Sequence, residues 1–362
     1  MEWENVAGAT GYNIFWAREP YIASDNIGAY TGGDWEEDVS SPHNVTGLTN
    51  NSTYYFVVTA TTDSLESDDS AEVSATPRTS SQRNAFTAQE VLMVELINRA
   101  RFDPQAEADR YGIDLNDDLA PGTISPDQKQ PLAFNTDLMH AARDHSQWML
   151  NADTFSHTGE SGSSATQRMN AAGYNFSGSW RSGENIAVSG TSGTSINLTQ
   201  QITFHHEGRN PPTNTGLFQS AYHRENILRP EFREVGTGQM VGTFDFSGTG
   251  EDWYLSSMMT QNFAKSGNNY FVTGVVYNDS DGDSFYDVGE GLDNIDVDVS
   301  GDDETTTSTG AYSIAKSDGS YTVTVTGTGI PGGSVSDTIE IDGANIKFDV
   351  IVDGANATIN TW

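Results

Sequence analysis

The sequence predicts a multidomain chain in which an α+β domain lies between two all-β domains. Apolar residues alternate at period two up to about residue 78, follow a helical period from about residue 86, and alternate again from about residue 269. A length of 362 residues suits two or three domains. The charge follows the same division, because most of the net charge of −34 lies outside residues 81–270.

Short strand-like runs make up the first predicted domain, residues 1–78. Runs at 12–16 and 54–59 are separated by Gly, Asn and Ser turns, which is typical of a β-sandwich. The order of these features resembles a fibronectin type III module that lacks its first strand and part of its second, so we expect the chain to begin inside a domain. The resemblance implies that Leu48 and Tyr54 form the corner that locks such a sandwich.

A polar linker, residues 79–85, precedes the change to helical periodicity. Thr87 and Glu90 are spaced as a capping box at the start of a predicted amphipathic helix, and a second helix and two strand-like runs follow. This mixture makes residues 86–268 an α+β domain.

The residue types of the middle domain suggest acid/base or metal chemistry. Five of the seven histidines lie between residues 145 and 223, and His157, Glu184 and His223 each occur in a Gly- or Ser-rich context. Two imidazoles and a carboxylate that meet in the fold could hold a divalent metal ion or form an acid/base pair. Purely structural histidines are the alternative, and residue types alone do not decide between the two.

Motifs in a fixed order carry a resemblance over residues 86–265. They are Phe155-Ser156-His157-Thr158, Gly183-Glu184-Asn185-Ile186-Ala187, the run from Leu217 to Leu228, and Phe232-Arg233-Glu234-Val235-Gly236. This order resembles the prokaryotic branch of the CAP superfamily, which comprises cysteine-rich secretory, antigen 5 and pathogenesis-related proteins. The absence of cysteine departs from the disulfide-rich eukaryotic branch and agrees with prokaryotic members.

The CAP resemblance implies a three-layer α-β-α sandwich with a groove in which His157, Glu184 and His223 converge. It leaves open whether His206 or Glu207 is the fourth groove residue. His157, Glu184, His223 and Glu207 are therefore the candidate catalytic residues, and zinc or another divalent metal is expected at His157 and His223. The resemblance also implies secretion, and members have been linked to metal binding, lipid binding and proteolysis.

Residues 269–362 are predicted to form a small β-sandwich that carries an acidic loop. Positions 1, 3, 5, 7, 9 and 12 of this loop are Asp279, Asp281, Asp283, Phe285, Asp287 and Glu290. This is the ligand spacing of an EF-hand calcium loop, in which position 7 supplies a carbonyl oxygen. Ser284 departs from the pattern, because position 6 is normally glycine.

The strand-like runs around this loop resemble the calcium-binding B-type repeats of bacterial surface adhesins. We therefore expect structural calcium in the C-terminal domain, with a Kd on the order of 10⁻⁴ to 10⁻³ M as in extracellular modules. An acidic, solvated turn is the alternative.

The charge of the chain argues against two classes of partner. The sequence has 17 Lys and Arg against 51 Asp and Glu, whereas nucleic acids and anionic lipid surfaces are bound through basic patches. It has no run of about 18 apolar residues, the minimum for a membrane span. The N-terminus lacks the regions of a signal peptide, which we expect to lie upstream.

Two functions of different classes follow from these patterns. In the first, a secreted or cell-surface protein binds a divalent metal and a polymer, peptide or lipid in the groove. Hydrolysis of a peptide or cell-wall substrate there would use Glu184 as the base and His157 or His223 as the acid or a metal ligand. In the second, the chain is a non-enzymatic adhesion or assembly protein with a vestigial groove. In both, the flanking domains are expected to be spacers.

Overall fold

The computed structural model describes residues 1, 3–49, 52–77, 85–210, 214–248 and 253–362. The predicted linker 79–85 therefore lies outside the described residues except for Ala85. In these segments no helix is both long enough and apolar enough to cross a bilayer.

The N-terminal domain contains one antiparallel sheet, in the order β2-β1-β3-β4. Its strands are β1 (Gly11–Ala17), β2 (Asp34–Val39), β3 (Tyr54–Thr61) and β4 (Val73–Ala75). The hydroxyl of Tyr54 accepts a hydrogen bond from the backbone N–H of Thr49 at 3.0 Å, and Leu48 packs against the same apolar cluster. The two predicted corner residues, Leu48 and Tyr54, therefore lie in one apolar cluster.

The second sheet of the predicted N-terminal sandwich is not found among the described residues. One face of the single sheet packs on the middle domain instead, where Phe15 and Tyr55 share an apolar cluster with Leu255. Ser74 Oγ also donates to the carbonyl of Val241 at 2.9 Å. Burial against the neighbouring domain thus replaces burial against a second sheet.

Six α-helices of the middle domain are described. They are α1 (Ala88–Phe102), α2 (Pro104–Tyr111), α3 (Thr136–Asn151), α4 (Ala165–Ala171), α5 (Leu198–Glu207) and α6 (Ala221–Ile227). The predicted capping box is confirmed at the start of α1, because Thr87 Oγ1 accepts from the N–H of Glu90 at 3.2 Å and Glu90 Oε2 accepts from the N–H of Thr87 at 2.8 Å.

The sheet of the middle domain has the order β5-β9-β10-β6. Its strands are β5 (Ala133–Phe134), β6 (Arg181–Thr191), β9 (Glu234–Asp245) and β10 (Trp253–Lys265), and a small separate sheet pairs β7 (Gly208–Asn210) with β8 (Asn214–Thr215). Strand β6 therefore lies at one edge of the sheet.

Helices cover both faces of this sheet. Along β10, Met259 and Phe263 belong to the buried cluster that contains α1 and Ile202 of α5. Met258, on the opposite face, clusters with Met149 of α3. Since successive side chains of a strand point to opposite faces, the arrangement is the predicted three-layer α-β-α sandwich.

The C-terminal domain consists of two four-stranded sheets, in the orders β14-β11-β17-β18 and β13-β12-β15-β16. The strands are β11 (Tyr270–Asn278), β12 (Asp296–Val299), β13 (Asp302–Thr305), β14 (Ala311–Lys316), β15 (Gly319–Thr326), β16 (Ser334–Ile341), β17 (Ile346–Asp353) and β18 (Asn356–Thr361). Residues of both sheets, such as Val350 and Val323, form one buried core, as expected for a β-sandwich.

The C-terminal domain packs directly on the middle domain. Lys347 is buried between the two, where its Nζ lies 3.0 Å from Glu95 Oε2 and also contacts Asp349. Asn345 Nδ2 donates to the carbonyls of Pro131 and Arg233 at 2.9 and 2.7 Å. Both flanking domains thus share buried surface with the middle domain, whereas spacers were expected.

Candidate functional site

An ion-paired carboxylate joins two of the predicted groove residues. His157, in the loop after α3, has its Nδ1 2.9 Å from Glu184 Oε1, and Arg168 of α4 lies 2.6 Å from Glu184 Oε2. The side chain of Glu184 is 4% exposed, whereas that of His157 is 57% exposed. Glu184 therefore uses both oxygens to hold its neighbours, and His157 presents most of its ring to solvent.

His145 is a further histidine beside this pair. Its Nε2 lies 2.9 Å from the carbonyl of Ser156 and 4.0 Å from Glu184 Oε1. Burial lowers the pKa of His145, although the Glu184 carboxylate opposes this shift. Because a carbonyl oxygen only accepts hydrogen bonds, the neutral imidazole of His145 carries its proton on the Nε2 that faces Ser156. In the sequence, His145 was one of five histidines between residues 145 and 223. That grouping was the available indication that it lies near the site.

His223 of α6 faces the same site. Burial lowers its pKa, and the charge of the nearby His157 lowers it further. Its Nδ1 is buried without a hydrogen-bond partner among the described residues. Asn185, next to Glu184 on β6, donates from Nδ2 to the carbonyl of His223 at 3.2 Å. The structure thus pairs His157 with Glu184 and places His223 near enough to His157 to feel its charge, so a shared site of all three stays a prediction.

The fourth predicted groove position is not filled by either candidate. His206 Nε2 lies 2.9 Å from Glu107 Oε1 in a buried pair, and Glu207 Oε1 lies 3.3 Å from an Nη2 of Arg99. Both side chains therefore bind residues of α1 and α2, away from the cavity described next. Catalysis by Glu207 at the groove has no support in this placement.

A cavity of about 640 Å³ lies beside His223. We call it the groove, and it is bounded by β6, α5, the segment from Gly216 to His223, and the ends of β9 and β10. Its lining is mainly apolar and aromatic, with Phe155, Ile186, Val188, Phe204, Leu217, Phe246 and Tyr254 beside His205, Arg209 and His223.

His205 is a groove residue that sequence reasoning missed. It lines the cavity, and its Nε2 lies 3.1 Å from Ser257 Oγ on β10. Burial lowers the pKa of His205 to about 3, so its imidazole is neutral at pH 7. Its place at the start of the His-His-Glu run was the only signal in the sequence.

Arg224 and Asn226, which follow His223, hold the walls of the site. Arg224 is fully buried and donates to four carbonyls, among them those of Leu115 and Gln219 at 3.0 and 2.9 Å. Asn226 Nδ2 donates to Glu184 O at 3.3 Å and to Asn185 Oδ1 at 2.9 Å. Both residues serve packing and hydrogen bonding.

In their observed positions, the predicted residues His157, Glu184 and His223 do not form a zinc site with three protein ligands. Among the described residues, the group of acidic or histidine side chains whose ligand atoms all lie within 4.8 Å of one another is Asp279, Asp281 and Asp283. Zinc sites use at least three protein ligands. A metal ion at the predicted site would have to rely on the two imidazoles of His157 and His223.

The acidic loop of the C-terminal domain is folded around its own carboxylates. Asp279 Oδ1 accepts from the N–H of Gly282 at 2.9 Å, and Glu290 Oε2 accepts from the N–H of Asp287 at 3.0 Å. Ser284, at the position normally occupied by glycine, adopts the left-handed conformation with φ of 62°. The loop therefore keeps the turn of the calcium pattern with a serine at a position that favours glycine.

Like charges crowd this loop. Burial raises the pKa of Asp287, and the neighbouring Asp283, Glu290 and Asp281 raise it further. Together with the three aspartates that lie within ligand distance, this arrangement suits a hard cation such as calcium, which takes oxygen ligands.

Comparison with known proteins assigns the middle domain to a family. Residues 94–263 match the family described as "CAP: Cysteine-rich secretory protein family". A crystal structure of an extracellular protein containing a SCP domain, from Bacillus anthracis str. Ames, is 15% identical with a TM-score of 0.29. The similarity covers 60% of this chain and 66% of that protein, which is just under two thirds of its length. No curated protein matches the chain. The α-β-α domain in the middle of the chain is therefore a CAP domain of the cysteine-rich secretory protein family.

Proposed function

We propose that the chain is an extracellular protein whose CAP domain binds an organic ligand with apolar groups in the groove. The observation that carries this proposal is the cavity of about 640 Å³ with its mainly apolar lining. Small-molecule and cofactor sites have volumes of this order, apolar walls and a few polar groups that fix orientation. His223 and Arg209 supply such polar groups here.

Two features support an extracellular location. The family matched by residues 94–263 is described as secretory. The loop at 279–290 has the spacing of a calcium site, and sites of extracellular modules have Kd values of about 10⁻⁴ to 10⁻³ M. Sites of such low affinity are occupied only where the calcium concentration is high, as it is outside cells.

A hydrolase is a second candidate, and it is favoured by the His157–Glu184 pair. Because both oxygens of Glu184 are engaged by His157 and Arg168, we propose the imidazole of His157 as the base and Glu184 as the group that orients it. Peptides and cell-wall fragments are the substrates to screen. A hydrolase requires turnover by the wild type that Glu184→Gln reduces, and an inert wild type excludes it.

A divalent metal ion at His157 and His223 remains a proposal for the groove. Glu184 engages Nδ1 of His157, which leaves Nε2 of the exposed imidazole available. Metal-binding histidines are commonly oriented by a carboxylate in this way. With only two protein ligands, we expect weak binding.

Structural calcium is our proposal for the acidic loop. Asp279, Asp281 and Asp283 bring ligand oxygens within 4.8 Å of one another, and Asp287, Glu290 and the carbonyl of Phe285 complete the expected set. A bound cation would offset the repulsion among these carboxylates, so it would stabilise the loop and the domain that carries it.

Binding of an apolar fluorescent probe, 1-anilinonaphthalene-8-sulfonate, tests the main proposal. The rings of Phe155 and Phe246 line the groove and are 44% and 48% exposed, so the double change to alanine should remove wall area at little cost in stability. We expect this variant to bind the probe at least tenfold more weakly. Phe102→Ala is the matched control, because Phe102 is also 48% exposed but contacts Trp362.

Equal probe binding by the wild type and the Phe155→Ala/Phe246→Ala variant would overturn the groove as the binding site. If the wild type also lacks activity and takes up no metal, the adhesion or assembly protein with a vestigial groove becomes the better interpretation.

A further inference from the structure

The outer edge of β6 faces the groove. Among the described strands, β6 pairs only with β10, and residues 186–190 of β6 line the cavity. At the edge of an antiparallel sheet, every second residue turns its N–H and C=O away from the neighbouring strand. These groups form a ready template for another extended chain.

The hydrogen bonds at the two ends of this segment show which residues turn outwards. The carbonyl of Glu184 accepts from Asn226 Nδ2 at 3.3 Å, and that of Gly190 accepts from Arg209 Nη1 at 3.2 Å. Both carbonyls therefore point away from β10. Because the direction alternates along a strand, Ile186 and Val188 point the same way.

Ile186 and Val188 thus direct two N–H donors and two C=O acceptors to the groove side. No hydrogen bond from another described residue reaches these outward groups. A lipid tail cannot form hydrogen bonds with these groups, because it has neither donors nor acceptors. An extended peptide matches them, since its own backbone alternates N–H and C=O groups at the same spacing.

The charge of the groove lining further restricts the class of ligand. The chain has 51 acidic residues against 17 Lys and Arg, yet the described residues of the groove lining include no Asp or Glu and have Arg209 as their permanently charged member. Arg209 lies at the Gly190 end of the open edge, with its guanidinium 5.1 Å from the ring centre of Phe204. A carboxylate is the complementary charge for this end.

We propose that the groove binds an extended peptide as an added strand on the open edge of β6, with the terminal carboxylate of the peptide at Arg209. This inference rests on the proposed binding function of the groove and names its ligand class. Alternate side chains of the peptide would contact the apolar walls, and its backbone would pair with Ile186 and Val188.

Backbone methylation of peptide ligands tests the proposal directly. The probe is a library of synthetic octapeptides with free carboxyl ends, from which the tightest binder to the full chain is selected. Two derivatives are then made, with N-methyl groups on the even or on the odd residues. We expect one derivative to bind about 30-fold more weakly, because it loses the hydrogen bonds to β6, while the other keeps its affinity. Equal affinities of the two derivatives, or a library without any binder, would overturn the proposal.

Two variants of the protein give independent checks. Val188→Pro removes one outward N–H and leaves the ladder to β10 intact, a substitution that edge strands tolerate, so it should weaken the selected peptide about fivefold. Arg209→Gln should weaken the free acid about tenfold and its amide hardly at all. Loss of both ligands to the same extent would contradict the role of Arg209.

If the apolar probe binds in the groove and no peptide does, the binding function stands and the peptide class is wrong. If neither binds, both fail.

Discussion

Nδ1 of His157 lies 2.9 Å from Oε1 of Glu184, so a carboxylate that water hardly reaches holds an imidazole that is more than half exposed. Arg168 engages the other oxygen of the same carboxylate. The three side chains come from a loop, a strand and a helix, and their contacts tie these elements together. Glu184 is thereby a positioning residue, and His157 is the group it presents.

Glu184→Gln should destabilise the CAP domain. The change leaves the guanidinium of Arg168, which is 12% exposed, without its charged partner, and hydrogen bonds to charged groups contribute about 1.5 to 3 kcal/mol. Urea unfolding should show a loss in this range. Glu225→Gln breaks the more exposed pair with Arg229 and should cost less than about 1 kcal/mol. Equal losses in the two variants would contradict the structural role of Glu184.

The proposed groove metal predicts a specific calorimetric difference. Titration with zinc should release heat with the wild type and not with His157→Ala, because one of the two imidazole ligands is lost. His43→Ala is the matched control, since His43 lies in the N-terminal domain beside Glu36. Equal heats from the wild type and His157→Ala would remove the metal proposal.

Calcium should raise the thermal stability of the full chain. At a calcium concentration ten times the Kd, binding to the folded state alone adds about 1.4 kcal/mol to the free energy of unfolding, and EDTA should abolish this gain. Asp283→Asn should reduce the gain, whereas Asp342→Asn, at an exposed acid outside the loop, should preserve it. A melting temperature that changes with neither calcium nor EDTA would show that the loop is an acidic turn.

Glu107 predicts a pH dependence of stability. Burial opposes its ionisation, but hydrogen bonds from His206 and Arg99 hold the pKa of Glu107 at about 2, below its ordinary value of 4.5. A lowered carboxyl pKa stabilises the fold above pH 4.5, and this contribution of about 3 kcal/mol is lost as the pH falls towards 2. Urea midpoints of wild type and Glu107→Gln should therefore differ at pH 7 and approach each other near pH 3. A difference that stays constant with pH would contradict this.

The pairing of His157 with Glu184 was predictable from the sequence, because each residue lies in a motif whose order resembles the CAP family. The start of α1 was predictable too, since the capping box of Thr87 and Glu90 is a local signal. Such features depend on a few neighbouring residues or on a motif, and both are visible in a single chain.

The direction of three adjacent side chains on α5 was not predictable in the same way. His205, His206 and Glu207 are successive residues, and each turns by about 100° around the helix relative to the one before. His205 consequently reaches the groove, His206 reaches Glu107, and Glu207 reaches Arg99. Which of the three faces the groove depends on how α5 packs, so the residue types left the fourth groove position open.

The packing of the flanking domains also escaped the sequence analysis. Lys347 is a single lysine in an alternating strand, and nothing local shows that its partner is Glu95 on α1, some 250 residues earlier. Similarly, the apolar face of the N-terminal sheet predicts burial without naming the surface of the CAP domain that covers it. Contacts between distant segments are set by tertiary structure.

Chemical-shift changes on binding test the central claim, that the groove beside β6 is the ligand site, most directly. The full chain, labelled for NMR, is titrated with 1-anilinonaphthalene-8-sulfonate. We predict that the amide signals of Ile186 and Val188 and the ring signals of His223 shift with one common midpoint, while those of His43 in the N-terminal domain stay in place. Saturable binding of the probe that leaves Ile186, Val188 and His223 unshifted would contradict the account.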